Sequence, residues 1–493
     1  MRVFWKRESR DHSYPTITRQ HSSYNPLRTY EREKQKTYQQ QYGDIYFLRL
    51  AKLKPAVDEI AQEAWEGFQI AGEAVRRVDR VLDVRQGELC WVTGTVYMDM
   101  PLKPNILDDI SKDQWISAPS TRLKYISPDG ADQTMLEDES GRLRLIGTAL
   151  LHTMLVTGCI VAVMGTENAN GDFEVIDLKV PDLPRQPPRW ERDDIAHSAA
   201  NGVKGGKQPG RTEGGSVAIV SGLEISATHV DSLAMDLMME YLLGESTTTT
   251  VQADTATVSR LIVAGNSLTE VSPTPAQDDV PTDAPKVAKK YGYDSSAYNP
   301  APTAHLDGLF ATLLPTIPIT LIPGATDPAN ASLPQQPMHS AVFPHSRVYA
   351  KAVASEPSWF DAVTNPWEGD VQGWRMLGTG GQTVDDVFKY VEDEDRLEMM
   401  ERLLRWRCCA PTAPDTLWCY PFQDRDPFVI EECPHVFFVG NQPKFDTTLI
   451  DGPAGQRVRL IAVPKFKETG EVVLVDMETL DVRLLRFEIP EAA

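Results

Sequence analysis

Four short turns carry the residues of this chain that could do chemistry. Each follows an apolar, strand-like run: Ser221-Gly222-Leu223-Glu224, Gly265-Asn266-Ser267, Gly324-Ala325-Thr326-Asp327 and Gly440-Asn441-Gln442-Pro443. In open α/β sheets, ligand sites form beyond the carboxyl ends of the strands. Turns like these are where a metal-assisted hydrolase of phosphate esters would hold its ions. That chemistry takes two metals about 3.5–4 Å apart, held by a bridging carboxylate and neutral imidazoles. The glycines that tight turns need are present. The imidazoles and the bridging aspartate are not. Among the turn residues Gly222, Glu224, Asn266, Ala325, Thr326, Asn441 and Pro443, Glu224 and Asn266 are the two read as able to touch a metal. His229, His339 and His435 lie nearby in sequence but off these positions, and read as packed or surface histidines. The expectation is a chain with no catalytic residue, no metal and no cofactor of its own.

The elements that position the turns read as an alternation. SVAIVSG (216–222), RLIVAG (260–265) and PITLIPG (318–324) are buried-type strands. Between them, HVDSLAMDLMMEYLLG predicts a helix with Leu233, Leu237, Tyr241 and Leu242 on one face and Gly244 as its stop, and HLDGLFATLL predicts another. This βαβαβ order implies a largely parallel sheet. Residues 383–407 predict one or two helices, and HVFFVGN, RVRLIAVP, EVVLVD and DVRLLRFEI return to strands.

The first part of the chain differs. Residues 44–65 carry helical periodicity through Val57, Ile60, Ala61, Ala64 and Trp65, with Asp44 as the cap and Pro55 as a break between two helices. ELCWVTGTVYMDM, RLKYISP, GRLRLIG, LVTGCIVAVMGTE and DFEVIDLKV then read as short strands, the last two joined by a hairpin at Asn170-Gly171. The apolar run Ala149–Gly165 is short for a membrane span and reads as two strands meeting at Thr157-Gly158. Five or six short strands fit a small barrel, most simply an OB-fold. Single-strand binding by such a barrel needs exposed aromatics over a basic groove, and these strands carry few of either, so a structural barrel is expected.

Composition is that of a globular protein: 493 residues, 41% hydrophobic, 24% charged. The formal net charge is −21, which opposes nonspecific adhesion to phosphate backbones. The sign is uneven, because residues 1–40 hold nine basic and four acidic residues. Direct DNA contact, if any, is expected from that arm. Six cysteines, Cys90, Cys159, Cys408, Cys409, Cys419 and Cys433, show no C-x-x-C spacing and read as reduced intracellular thiols. No apolar signal segment is visible in MRVFWKRESRDH. Gly205-Gly206-Lys207 is followed by Gln208 and reads as linker, not as a phosphate loop.

The two-part layout resembles the two-sheet sandwich of the calcineurin-like phosphoesterases, whose Asp-x-His, Gly-Asp, Gly-Asn-His and Gly-His-x-His motifs are replaced at the four turns. Seven blocks make a more specific resemblance: residues 136–147, 158–178, 217–225, 259–268, 321–339, 377–390 and 410–445, in order and with consistent spacing. They are similar to the B-subunit family of replicative DNA polymerases. The resemblance implies an α+β and α/β multidomain chain, with a helical lead-in and OB-fold (43–190) and an inactive phosphoesterase sandwich (216–493); the basic flexible arm (1–42), the flexible linker or insertion (191–215) and the polar insertion near 270–300 are read from composition and depart from it. It implies a nuclear, non-catalytic accessory subunit. Such a subunit holds the cysteine-rich C-terminal module of the catalytic polymerase subunit and binds a third subunit, which links to the sliding clamp. The polymerase activity and any zinc or iron–sulfur centre belong to partners. The competing expectations are an active phosphoesterase with atypical ligands and a single-stranded DNA-binding OB module.

Overall fold

A computed structural model describes residues 18–32, 43–70, 72–104, 122–190, 214–226, 233–245, 248–269, 299–350 and 358–488. Most of the basic arm, the linker with Gly205-Gly206-Lys207, the polar insertion and His229 lie outside the described residues.

The described part of the arm is not a loose tail. Its strand β1 (Tyr24–Pro26) pairs antiparallel with residues 369–371, which corrects the flexible arm over residues 18–32. Helix α1 (Asp44–Trp65) runs through Pro55 without a break. The expected second helix is absent because Ala51, whose carbonyl loses its partner at Pro55, sits on the solvent face, where water can replace that bond. Gly43, not Asp44, occupies the cap, and Ile60 and Ala64 lie off the buried stripe of Leu50, Leu53, Val57, Ala61 and Trp65.

Three two-residue strands, β2 (Gln69–Ile70), β3 (Glu73–Ala74) and β4 (Arg76–Arg77), lead into β5 (Leu89–Asp99), β6 (Gln133–Glu137) and β7 (Arg142–Ile146). A helical turn α2 (Thr148–Leu151) precedes β8 (Ile160–Glu167) and β9 (Asp172–Lys179). The sheet closes in the order β5-β6-β7-β9-β8-β5, with β7 and β9 parallel and the other pairs antiparallel. That topology is an OB-fold. Two expectations fail locally. RLKYISP is not a strand: Tyr125 leaves the barrel, its N–H donates to Lys389 O (2.7 Å) and its ring packs on Tyr390, so it has no ladder to join. The apolar run from Ala149 contributes one strand, β8, after a helical turn.

The rest of the chain builds two six-stranded sheets. Strands β10 (Ser216–Val220), β11 (Val258–Ala264), β12 (Ile319–Ile322) and β13 (Phe360–Ala362) are parallel neighbours. The second sheet starts with β14 (Trp367–Val371), β15 (Trp374–Thr379), β16 (Val436–Gln442), β17 (Asp446–Asp451) and β18 (Arg457–Pro464). Its order is β1-β14-β15-β16-β18-β17. Strands β19 (Glu471–Asp476) and β20 (Val482–Arg486) return to the first sheet, giving β13-β12-β11-β10-β19-β20.

Strand periodicity assigns the layers. Val217, Ile219 and Ile262 of the first sheet meet Met376, Val436 and Phe438 of the second in an apolar seam. Ala218, Val220 and Leu261 face the other way, under helices α3 (Leu233–Leu243) and α5 (Ala301–Leu313), with α4 (Thr249–Ala256) between these two in the chain. The buried face of α3 is Met235, Met238, Met239 and Leu242, and Leu233 is exposed. Both stripes have helical spacing in a segment that is apolar nearly all round, and the flexible methionines are the ones that fit the sheet. On the outer face of the second sheet lie α6 (Gln382–Tyr390) and α7 (Arg396–Arg405), the latter capped by Asp395 on the Leu397 and Glu398 amides. The short α8 (Phe466–Thr469) follows β18. Phe437, Val439, Val384, Met399 and Leu403 share one continuous core with Val96, Leu136 and Phe173 of the barrel, so barrel and sandwich are one packed body. All six cysteines are free and buried.

Candidate functional site

The four turns do meet at one end of the two-sheet sandwich. Glycine is what lets them approach. A Cβ on Gly440 would stand 2.1 Å from Ala264 O, and one on Gly324 would stand 2.2 Å from the Asn266 nitrogen. Real side chains do not tolerate such contacts, so these positions are closed to anything larger.

Each candidate residue is engaged inside this knot or turned away from it. Gly222 (φ +62°) donates its N–H to Gly265 O at 3.0 Å. Glu224 donates its backbone N–H to Asn266 O, while its carboxylate points outward to Lys465 Nζ (3.5 Å) and Lys467 Nζ (3.8 Å). Asn266 Oδ1 accepts the Thr326 N–H at 3.3 Å, and Thr326 Oγ1 donates to Leu268 O at 2.6 Å. Asn441 donates its N–H to Ser221 Oγ (2.9 Å) and its Nδ2 to Gly380 O (2.8 Å). Ala325 and Pro443 are exposed. Asn266 and Asn441 both hold positive φ, near +51° and +59°, a region asparagine enters more readily than most residues.

The acid of the third turn has a structural partner set. Asp327 Oδ2 accepts the Gly324 N–H (2.7 Å) and Oδ1 accepts the Leu268 N–H (3.0 Å), tying two turns together. Burial pushes its carboxyl up to about 6 against the pull of those amides. Sequence reasoning missed the residues that complete the knot. Gln335 Nε2 donates to Gly324 O (3.0 Å), while its Oε1 accepts from Asn365 Nδ2 (2.8 Å) and Gln382 Nε2 (3.0 Å). Asn365 Oδ1 accepts the Gly380 N–H at 3.0 Å. The available signal was carboxamides beside glycines and prolines, as in LPQQP and GTGGQT.

These residues do not fit a two-metal centre. The Glu224 carboxylate is spent on lysines, the Asn266 oxygen on an amide, and among the described residues no group of three or more His, Cys, Asp and Glu is placed to hold a metal. His339 is exposed, with Nδ1 accepting the Ala341 N–H. His435 is buried. Its Nδ1 accepts the Arg375 N–H at 3.1 Å, and burial, with Arg375 nearby, lowers its pKa to about 4.

The barrel offers Tyr97 on its outer face. That ring already carries Lys103 Nζ at 4.4 Å and the Arg142 guanidinium at 4.5 Å. Lys103 is in turn tied to Asp415 at 2.6 Å, and Arg142 is ion-paired with Glu137. The aromatic that a base would stack on is thus engaged by the chain's own cations.

Two family descriptions match the two parts of the body. The OB-fold domain of the DNA polymerase delta subunit covers residues 41–178, and the B subunit of DNA polymerase alpha/epsilon covers 217–447. An Arabidopsis thaliana protein named DNA polymerase delta small subunit is 36% identical over 471 residues, which is 95% of this chain and 96% of that protein. This chain belongs to the DNA polymerase delta small-subunit family. The Saccharomyces cerevisiae small subunit is 32% identical over 92% of this chain and 91% of its own length. The Drosophila melanogaster DNA polymerase delta subunit 2 is 32% identical, over 95% and 98% respectively. In this member of the delta small-subunit family, the alpha/epsilon B-subunit match begins inside β10 and ends inside β17, so it contains all four turns.

Proposed function

We propose that this chain is a non-catalytic accessory subunit of a DNA polymerase delta complex. In this reading residues 43–190 form the helical lead-in and OB-fold, and residues 216–493 form a phosphoesterase-type sandwich whose site has become a structural knot. The observation that carries it is the closed set of turns, where Asn266, Asn441, Gln335 and Asn365 spend their amides on backbone and on one another. A catalytic centre keeps polar groups free for substrate, whereas most of these groups are consumed in holding the loops, though Asn441 Oδ1 is buried without a partner among the described residues. The names of the relatives supply the complex.

The chain then acts by contact. Barrel and sandwich, packed as one body, present a composite surface to the cysteine-rich C-terminal module of the catalytic subunit and to the third subunit, through which the sliding clamp is reached. It works in the nucleus during replication and repair synthesis, and DNA is met mainly through the complex. Among the described residues no helix is long and apolar enough to cross a membrane.

The test is affinity purification of the tagged full chain from its own cells, with mass spectrometry of stoichiometric partners. Recovery of a large polymerase with a cysteine-rich C-terminus and a smaller third chain is expected. Recovery of the chain alone, together with manganese-stimulated phosphodiesterase activity lost in Glu224→Ala, would overturn the reading.

A further inference from the structure

Residues 18–32 lie across one edge of the sandwich and touch both sheets. Strand β1 caps the β14 edge, with the Leu27 N–H donating to Glu368 O and the Gln372 N–H donating to Ser23 O. Tyr24 reaches across to the other sheet, where its hydroxyl donates to Asp361 Oδ2 at 2.6 Å. The Arg260 guanidinium lies 3.8 Å from the Tyr24 ring centre. At the outer end, Arg19 donates to Thr255 O (3.0 Å) and Val258 O (2.9 Å).

The seam under this segment carries several buried polar atoms with no partner among the described residues. Gln372 is fully buried, yet neither its Oε1 nor its Nε2 has a hydrogen-bond partner among the described residues. Its Nε2 and the Gln20 Oε1 both crowd the space beside Gly215, which places the side chain beneath the segment. Ser22 Oγ and Arg260 Nε are buried as well, without partners among the described residues. Buried polar atoms left unpaired penalise the closed state, and opening to water relieves them. By contrast β15, the next strand in, is paired on both sides and packs apolar residues on both faces.

We propose that residues 18–28 are a releasable clasp, anchored at its far end by Tyr30, which is buried in the main core with its hydroxyl beside Cys409 Sγ. It opens from the β14 edge as a local unit, well below the free energy of global unfolding, and Gln372 sets how easily it opens. Tyr24 and Arg19 hold the clasp shut, and the unpaired amide of Gln372 works against them. When open, it exposes a β-strand edge beside Asp361 and Arg260, and the chain's own residues 18–28 are the segment that fits there. Edges of this kind are ordinarily covered, because uncovered they pair with other chains. Local opening of such units is measurable by amide exchange.

The experiment is hydrogen exchange on the full chain, reading the Gln20, Leu27 and Gln372 amides against those of β15 and β16. The clasp amides are expected to exchange at least about tenfold faster than the β15–β16 amides. Tyr24→Phe should speed them further, and Gln372→Leu should slow them about fivefold without altering β15. Gln372→Met serves if the leucine variant fails to fold. Clasp amides exchanging at the β15 rate, or unmoved by either Gln372 variant, would overturn the proposal.

Discussion

Arg49 Nε lies 2.7 Å from Asp426 Oδ2, with 0% and 1% of the two side chains reachable by solvent. The same guanidinium donates to Pro411 O (2.6 Å) and Ala413 O (3.1 Å). One side chain of α1 therefore organises a loop of the sandwich. Breaking a buried pair by removing one partner costs about 3–5 kcal/mol. Arg49→Met is expected to lower the unfolding free energy by that amount in urea titrations. Adding Asp426→Asn should recover part of it. A loss below about 1 kcal/mol would show that the pair is not what joins the two parts.

Gly158 sits against the same loop. Its φ is +90°, and a Cβ there would stand 1.9 Å from Pro411 O. Gly158→Ala is expected to destabilise by at least about 3 kcal/mol, from backbone strain plus a clash that neither side can relieve. Gly67, with φ +71° and open space around it, is the control. Gly67→Ala should cost only about 1 kcal/mol. Equal losses for the two variants would leave the contact with Pro411 without weight.

Two buried groups predict opposing pH dependences. His435 has its pKa lowered to about 4, against about 6.5 when unfolded. The unfolded chain binds more protons between those values, so its contribution of about 3 kcal/mol is present above pH 6.5 and lost as pH falls toward 4. Asp327 is raised from 3.8 to about 6. There the folded chain binds more protons, and a contribution of about 3 kcal/mol is present below pH 4 and lost as pH rises through 6. Denaturation of Asp327→Asn between about pH 4 and 7 should uncover the rising slope, and His435→Gln the falling one. Parallel profiles for both variants and the parent would exclude the assignment.

Gln335 is the carboxamide that links three turns. Among the described residues, Gln335→Ala leaves Gly324 O with only the long Asp327 N–H contact and frees one donor direction each on Asn365 Nδ2 and Gln382 Nε2. A loss of about 2–4 kcal/mol is expected in thermal or chemical unfolding. Ala325→Ser, at an exposed position of the same turn, should stay within about 0.5 kcal/mol. If the two substitutions cost the same, the knot does not depend on its amides.

The strand ends are legible in the sequence because apolar runs ending in glycine mark both a strand and a tight approach. The barrel strands are legible where alternation is clean, as in Leu143 and Leu145 of β7. What stays hidden is set by distant residues. Tyr24-Asn25-Pro26 looks like arm, since its partner strand begins at Trp367. RLKYISP has strand composition, but Tyr125 is claimed by α6. Strand β17 escapes a reading of the sequence, because DTTLID is too polar to stand out before β18 is placed beside it. The Gln335–Asn365–Gln382 set is marked only by carboxamides beside glycines and prolines, and carboxamides have no spacing rule that would join the three.

The clasp has a consequence for how the molecule is made. Strand β1 leaves the ribosome early, yet β14, its partner, is completed only at Val371. At roughly 5–20 residues per second, about 17–70 s separate the two. Arg49 waits longer still, until Asp426 is synthesised. The barrel is therefore born with a bare cation on its lead-in helix and an unpaired strand ahead of it. For that interval the nascent chain carries Arg49 without its carboxylate and a sheet-forming segment without its neighbour, and its assembly is decided by the arrival of β14 and the Asp426 loop.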